Sequence, residues 1–360
     1  MRKVLATAAL AAMMTGTAYA GDLGGSCCAD LEERLAELES VAVHKGNKKV
    51  SLTLSGSVSR ALLWMKSDDS TDHRFVDNTN SPTRFTLSGE GKIGKDMSAG
   101  FVYEMGLGNE PSVEDFLSYP NSNDDLGVRH AAVWFKTLAG KVTLGKTSQA
   151  TDNFDEMSVA NTTVASKLLS LGPVSAVYLF GFDLPFDGNR KNLVRYDSPV
   201  LQGFMVSGSW SDENAWDGAL RYAGEFGGFR MAAGVGYRQD DALAFSVFSL
   251  PVEYKTMLAT ASVMHVATGL FATGMYADTD FSGTHLKAWH LQGGIEARLT
   301  ELGKTTFYAE FGQLDLGDKV DAYGFGAVQR LDAANLDLFV AYRNYDDSVS
   351  TVLTGMRIGF

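Results

Sequence analysis

The chain of 360 residues has little cysteine, little proline, a deficit of positive charge and no uninterrupted apolar run of membrane-helix length. Its two cysteines, Cys27 and Cys28, are neighbours, and a bridge between adjacent residues is strained. That argues against a disulfide framework within the chain and leaves a structural role or pairing between copies. Lys and Arg number 31 against 43 Asp and Glu, a formal charge of −12. Nucleic acid, which needs a basic stripe, is therefore not expected as a partner. The most apolar stretch, Thr256 to Ala277, is interrupted by His265, Gly269 and Gly274. It reads as two strands joined by Val266-Ala267-Thr268-Gly269 rather than as one helix of about 20 residues.

Catalytic signals are equally scarce. His44, His73, His130, His265, His285 and His290 are scattered, with no H-E-x-x-H and no cysteine beside them. There is no glycine-rich phosphate loop. Gly89-Glu90-Gly91 and Gly324-Phe325-Gly326 lie inside strand-like patterns, where glycine permits curvature or close packing. No cofactor, no metal and no enzymatic activity are expected.

What is present begins with a leader. Arg2 and Lys3, the apolar Val4 to Met14 and the small-residue site Ala18-Tyr19-Ala20 form a secretory signal over residues 1–20. Removing it takes away Arg2 and Lys3 and moves the charge from −12 to −14. The six residues Gly21 to Ser26 separate the cleavage site from Cys27, which is unlike a lipoprotein. Residues 21–49 read as a periplasmic segment with a short helix over 30–42. Asp30 caps it with Glu33 three residues on, and Leu31, Leu35, Leu38 and Ala42 make a coiled-coil-like seam. So short a helix is marginal alone, so it either docks on the rest of the chain or pairs with copies of itself in a trimer.

From Val50 the period changes to two. Val50, Leu52, Leu54, Gly56 and Val58 alternate with Ser51, Thr53, Ser55, Ser57 and Ser59, giving a strand with one apolar and one wet face. The pattern recurs to the end: Phe204, Val206 and Trp210 against Met205, Ser207 and Ser209, then Trp289, Leu291, Ile295 and Leu299 against His290, Gln292, Glu296 and Arg298. Short connections at 94–96, 137–140, 198–203, 227–228, 266–269, 301–304 and 332–335 alternate with longer polar ones at 65–83, 109–127, 147–191, 211–217, 240–250, 278–286, 314–321 and 345–350. That asymmetry, with roughly sixteen strands, predicts an all-β transmembrane antiparallel barrel over residues 50–360. A ring of 16 to 18 strands keeps an aqueous channel, so function follows from the hole. The last strand ends on Phe360, an aromatic suited to an interfacial girdle and to closure and assembly of the ring.

With these residues in hand, the chain resembles the general porins of alphaproteobacteria. The residues that carry this are Cys27-Cys28-Ala29-Asp30-Leu31-Glu32-Glu33-Arg34-Leu35, Lys48 to Gly56, Gly140-Lys141-Val142-Thr143-Leu144-Gly145-Lys146, Asn192 to Pro199 and the final Phe360. The resemblance implies a homotrimer in the outer membrane of a Gram-negative bacterium, passive diffusion of ions and small hydrophilic solutes, and a third external loop folded into the lumen. Contact with outer-membrane lipid, lipopolysaccharide and the outer-membrane assembly machinery is expected with that location.

The candidate constriction loop is 147–191, far longer than an ordinary connection. Its acids are Asp152, Asp155, Glu156, Asp183 and Asp187; the bases facing them on inward strand positions are Arg84, Lys92, Lys141 and Arg195, with Arg221 and Arg230 farther round. Opposed acidic and basic walls make a transverse field that orients dipolar solutes. Some of these charges have a plainer use as solvated loop groups or as wall pairs with Glu90, Glu104, Glu225 and Glu310. Three readings compete with an open general channel. They are a substrate-selective channel, an outer-membrane barrel enzyme and an adhesin whose external loops do the work.

Overall fold

The computed structural model describes residues 49–67, 71–107, 126–168, 186–212, 215–244, 251–281, 283–315, 317, 319–346 and 349–360. The leader, the helix expected over 30–42, Cys27, Cys28 and Asp183 lie outside them. The described chain forms β1 (Ser51–Lys66), β2 (Thr71–Asp77), β3 (Arg84–Lys92), β4 (Ser98–Leu107), β5 (Leu126–Thr137), β6 (Gly140–Ser148), β7 (Arg190–Asp197), β8 (Phe204–Ser211) and β9 (Trp216–Phe226). It continues with β10 (Phe229–Ala244), β11 (Pro251–His265), β12 (Leu270–Phe281), β13 (Thr284–Thr300), β14 (Gly303–Asp315), β15 (Lys319–Leu331), β16 (Leu336–Tyr345) and β17 (Val349–Gly359). The strands form one antiparallel 17-stranded sheet in which chain neighbours pair, except that β2 and β3 both pair with β1 and not with each other.

The sheet closes on itself. β1 pairs with β17 from Ser57 opposite Gly359 to Lys66 opposite Ser350, and Gly56 and Phe360 exchange backbone hydrogen bonds of 2.8 and 2.9 Å. A Cβ on Gly56 would lie 2.8 Å from the Phe360 ring, so glycine there leaves the terminal aromatic its place on the seam. On its other edge β1 pairs with β2 over Arg60–Lys66 and with β3 over Ser51–Ser57. β2 and β3 are thus two halves of one stave interrupted at 78–83, and the ring has sixteen staves.

The wet and dry faces are inverted relative to a water-soluble protein. Ser57, Ser59, Thr256 and Arg238 are 1% exposed or less, whereas Val58, Phe204, Leu291 and Phe325 are 46–59% exposed. Every second side chain turns outward, and the outward set is apolar round the ring, a surface far too large for a free soluble domain. Cross-strand rings line the belt, among them Phe204 with Tyr222 at 4.7 Å and Trp216 with Tyr237 at 5.4 Å. Among the described residues no helix is long and apolar enough to cross a membrane.

The short turns fall where the sequence places them, at one end of the ring. The opposite end differs from expectation. β12 runs to Phe281 with β13 starting at Thr284, β14 runs to Asp315 with β15 starting at Lys319, and β16 runs to Tyr345 with β17 starting at Val349. The polar residues there were expected in long loops. They are outward groups on strand ends that satisfy one another, with His285 Nδ1 2.8 Å from Asp278 Oδ1 and Gln313 Nε2 donating to Asp321 Oδ1 at 2.7 Å. Trp134 is the one tryptophan turned inward, its ring lying over Gly100.

Candidate functional site

The long connection after β6 enters the lumen, and its root is built by Arg195. That guanidinium is held by Asp197 at 2.8 and 2.9 Å and donates to the carbonyls of Ser148 at 3.2 Å and Gln149 at 3.1 Å. Asp217 then accepts from the Thr151 backbone and hydroxyl at 2.6 and 2.7 Å. Arg221 donates to the Asp152 carbonyl at 2.8 Å and covers the Phe154 ring at 4.6 Å.

From there the loop follows the inner wall round the ring. Thr260 Oγ1 donates to the Phe154 carbonyl at 3.0 Å, the Val159 N–H to Ser262 Oγ at 3.0 Å, and Thr162 Oγ1 to Gln292 Oε1 at 2.8 Å. Asn161 donates to Asp337 at 3.1 Å, and Ser166 reaches Glu310 at 2.5 Å. Glycine permits this approach: a Cβ on Gly234 would lie 2.8 Å from Phe154, and one on Gly236 2.7 Å from Thr151. Phe154, Met157, Val159, Ala160, Val164, Ala165 and Leu168 are all buried against the wall. The loop folds back on itself where the Leu168 N–H donates to the Asp155 carbonyl at 2.9 Å.

Among the described residues this path leaves one side open, between the loop edge and β3 to β7. On the loop edge Lys167 Nζ lies 2.5 Å from Glu156 and 3.8 Å from Asp155. On the wall Arg129 donates to Glu104 at 2.7 Å, His130 Nδ1 lies 3.1 Å from Thr147 Oγ1, and Arg190 lies 3.9 Å from Asp152. Arg84 and Arg190 act on Glu156 across the gap. Burial works against ionisation of Glu156, but Lys167 first and then these arginines outweigh it and hold its carboxyl low. Asp155 is 24% exposed; burial pushes it up to about 6 against the opposing pull of Lys167. Asp187 is raised well above the usual carboxylate range by burial and by the Asp155 carboxyl with which it shares a hydrogen bond.

The structure thus brings Asp152, Asp155, Glu156, Asp187 and Arg84 to one opening. Arg195 and Arg221 are buried as supports of the loop root, 6% and 3% exposed. Lys92, Lys141 and Arg230 are not brought to it. Lys92 pairs with Ser98 beside the 93–97 turn, Lys141 lies 4.0 Å from Asp197 beside Gly140, and Arg230 lies 3.6 Å from Glu225 beside the 227–228 turn. Arg129, Arg190 and Lys167 were missed by sequence reasoning. Arg129 escapes strict alternation because the β4–β5 register shifts at Glu104, so that Arg129 and His130 both reach the lumen side.

A family model described as Gram-negative porin matches residues 6–350. The chain belongs to the Gram-negative porins. A comparison with curated proteins finds no matching sequence. Among solved structures, the porin barrel is similar to the anion-selective porin from Comamonas acidovorans, with a TM-score of 0.64 at 16% identity, covering 87% of this chain and 100% of that one. It is also similar to Salmonella typhi OmpF in complex with daunomycin, TM-score 0.58 at 14% identity, covering 88% and 99%. A mutant porin from Rh. blastica gives 0.57 at 15% identity, covering 86% and 100%. Membership makes this porin an outer-membrane channel for diffusion of solutes, which accords with a lumen lined by charge and bounded by an inserted loop.

Proposed function

We propose that this porin is a general diffusion channel of the alphaproteobacterial type, a homotrimer whose constriction is the gap between the 147–191 loop and the β3–β7 wall. The observation that carries the reading is the juxtaposition of Asp155, Glu156 and Lys167 on the loop edge with Arg84, Arg129 and Arg190 opposite. Charges of both signs across one gap make a field that admits small ions and dipolar solutes and penalises apolar ones that cannot align with ordered water. A selective sugar channel needs an aromatic slide. Here Trp64, Trp210, Trp216 and Trp289 face outward, which favours the general channel. The trimer is supported by the related Vibrio cholerae OmpT, one of whose structures is described as a trimer form.

Lipid contact is supported by an apolar hollow of about 760 Å³ on the outer face, between Tyr222 and Phe311 and floored by Ala233, Ala261 and Gly274. The polar strand ends above it, with Lys255, Asp278, His285 and Lys287, suit the phosphate-rich headgroups of lipopolysaccharide. Phe360 is the end by which the assembly machinery would take hold of the ring.

Planar-bilayer recording tests the channel. Stepwise ohmic conductance is expected, and a sealed bilayer with folded protein would overturn the reading. Replacing Asp155 and Glu156 together by Asn and Gln lowers the cation-to-anion permeability ratio if the gap is where the loop puts it. An unchanged ratio moves the constriction elsewhere.

A further inference from the structure

The ladder along the second stave stops at Asp77 and resumes at Arg84, and the segment between is built rather than merely looped. Asp77 accepts from the Thr83 hydroxyl at 2.7 Å and its N–H at 3.1 Å, the Thr83 hydroxyl accepts from the Ser59 N–H at 3.0 Å, and Ser57 donates to the Pro82 carbonyl at 3.2 Å. Interrupting a barrel stave sacrifices ladder hydrogen bonds. What the interruption presents to the lumen is two buried amides. Asn78, 0% exposed, donates to the Val164 carbonyl at 2.7 Å, and Asn80, 5% exposed, to the Ala165 carbonyl at 3.3 Å.

The residue after Ala165 is held by strands on the other flank of β1. Ser166 Oγ meets Glu310 on β14 at 2.5 Å and accepts from Arg343 on β16 at 2.6 Å. The loop tip is therefore clasped between two separate parts of the wall, and Lys167, the one loop-edge cation on Glu156 and Asp155 among the described residues, follows directly. The wall pairs Glu310 and Arg343 also make with each other, at 2.8 Å, stand without the tip. Among the described residues the two side-chain amides bond only to the tip and to their own segment.

We propose that the break in the second stave is a keeper for the loop tip, and that Asn78 and Asn80 are positioning residues which hold Lys167 in the constriction. The proposal rests on the porin reading of the gap. It assigns a role in transport to a segment of the wall separate from the root of the loop on β6 to β9. Loss of both donors leaves two buried carbonyls without them, which raises the occupancy of a displaced tip roughly tenfold or more.

The test is single-channel recording of the full chain carrying Asn78→Ala and Asn80→Ala, beside wild type and Lys167→Gln. The expected result is a folded, heat-modifiable barrel with new sub-conductance states occupied roughly tenfold more often than in wild type. In those states selectivity shifts toward cations, in the direction Lys167→Gln shifts it without sub-states. A double variant whose barrel melts lower but conducts steadily overturns the keeper, since that is what a purely structural role gives. If the double variant gives no barrel, Asn78→Leu and Asn80→Leu singly keep the shape and remove the donor, and steady conductance in both overturns it equally. Wild type that does not conduct sinks the channel reading itself, a separate failure.

Discussion

The wall from β10 to β15 and the wall from β3 to β8 follow the same alternation and are put to different uses. The first is tall, with strands of 16, 15 and 17 residues in β10, β11 and β13, and its inner face is covered by the loop. The second is low, with 9, 8 and 8 residues in β6, β7 and β8, and among the described residues its inner face over β3–β7 carries charged side chains. Inward positions on the tall side include Leu258, Met275, Ala277 and Leu314, all buried, while the low side offers Arg129, His130 and Glu104. A barrel interior is thus not one environment. Half of it is a core in which apolar burial of about 25 cal/mol per Å² holds the loop, and half is a channel.

Four changes would break or sharpen that contrast. The largest effect is expected from Phe154→Ala, since this ring is fully buried on Gly234 and under Arg221. A loss of about 3–5 kcal/mol of packing should free the loop from the tall wall and raise conductance; an unchanged single-channel current would mean the loop is held without its apolar side.

Arg129→Ala attacks the low wall. It deprives Glu104, 8% exposed, of its 2.7 Å partner, and because Arg129 is itself 22% exposed the loss should stay below about 3 kcal/mol. Its signature is a shift toward cations in reversal potential, with conductance steady rather than flickering.

A smaller change comes from pH alone. Asp155 is neutral below about 6 and charged above it, so cation preference should rise as pH passes that point, by at most about fivefold for one added charge in water-like surroundings. The sign for stability is the reverse. A carboxyl raised in the folded chain favours the docked loop at low pH, and that contribution is lost as pH climbs from the ordinary aspartate range through about 6. Asp155→Asn should remove the selectivity step, and a step that survives would transfer it to another group.

The smallest effect belongs to Lys92→Gln and Arg230→Gln, at the turn end of both walls. Selectivity should not move and thermal stability should change by no more than about 0.5 kcal/mol. A selectivity change there would show that the constriction extends down to the turns.

The barrel was legible because alternation is a backbone property: Ser57 and Val58 cannot share a face whatever surrounds them. The turns were legible for the same reason, as places where alternation lapses into Gly227-Gly228 or Thr268-Gly269. What could not be read is where alternation itself is altered. The register shift at Glu104 turned Arg129 inward, and the interruption at 78–83 put Asn78 and Asn80 under the loop. Charge misled in a second way. Arg195 and Lys92 both sit on inward strand positions, yet one is buried under the loop root and the other lies by a turn. Height along the stave and the path of the loop decide between them, and neither is written in a two-residue period.

The seam between β1 and β17 has a kinetic consequence. Its pairs, from Ser57 with Gly359 to Lys66 with Ser350, join β1 to β17 across nearly the whole length of the barrel sequence. Contacts of such sequence separation are the slowest to form, because the whole intervening chain must be ordered before they are rewarded. Until Phe360 is seated beside Gly56, the facing edges of β1 and β17 stay unpaired. The unclosed sheet therefore carries two aggregation-prone edges until the ring shuts, and its passage to the membrane has to be chaperoned through that interval.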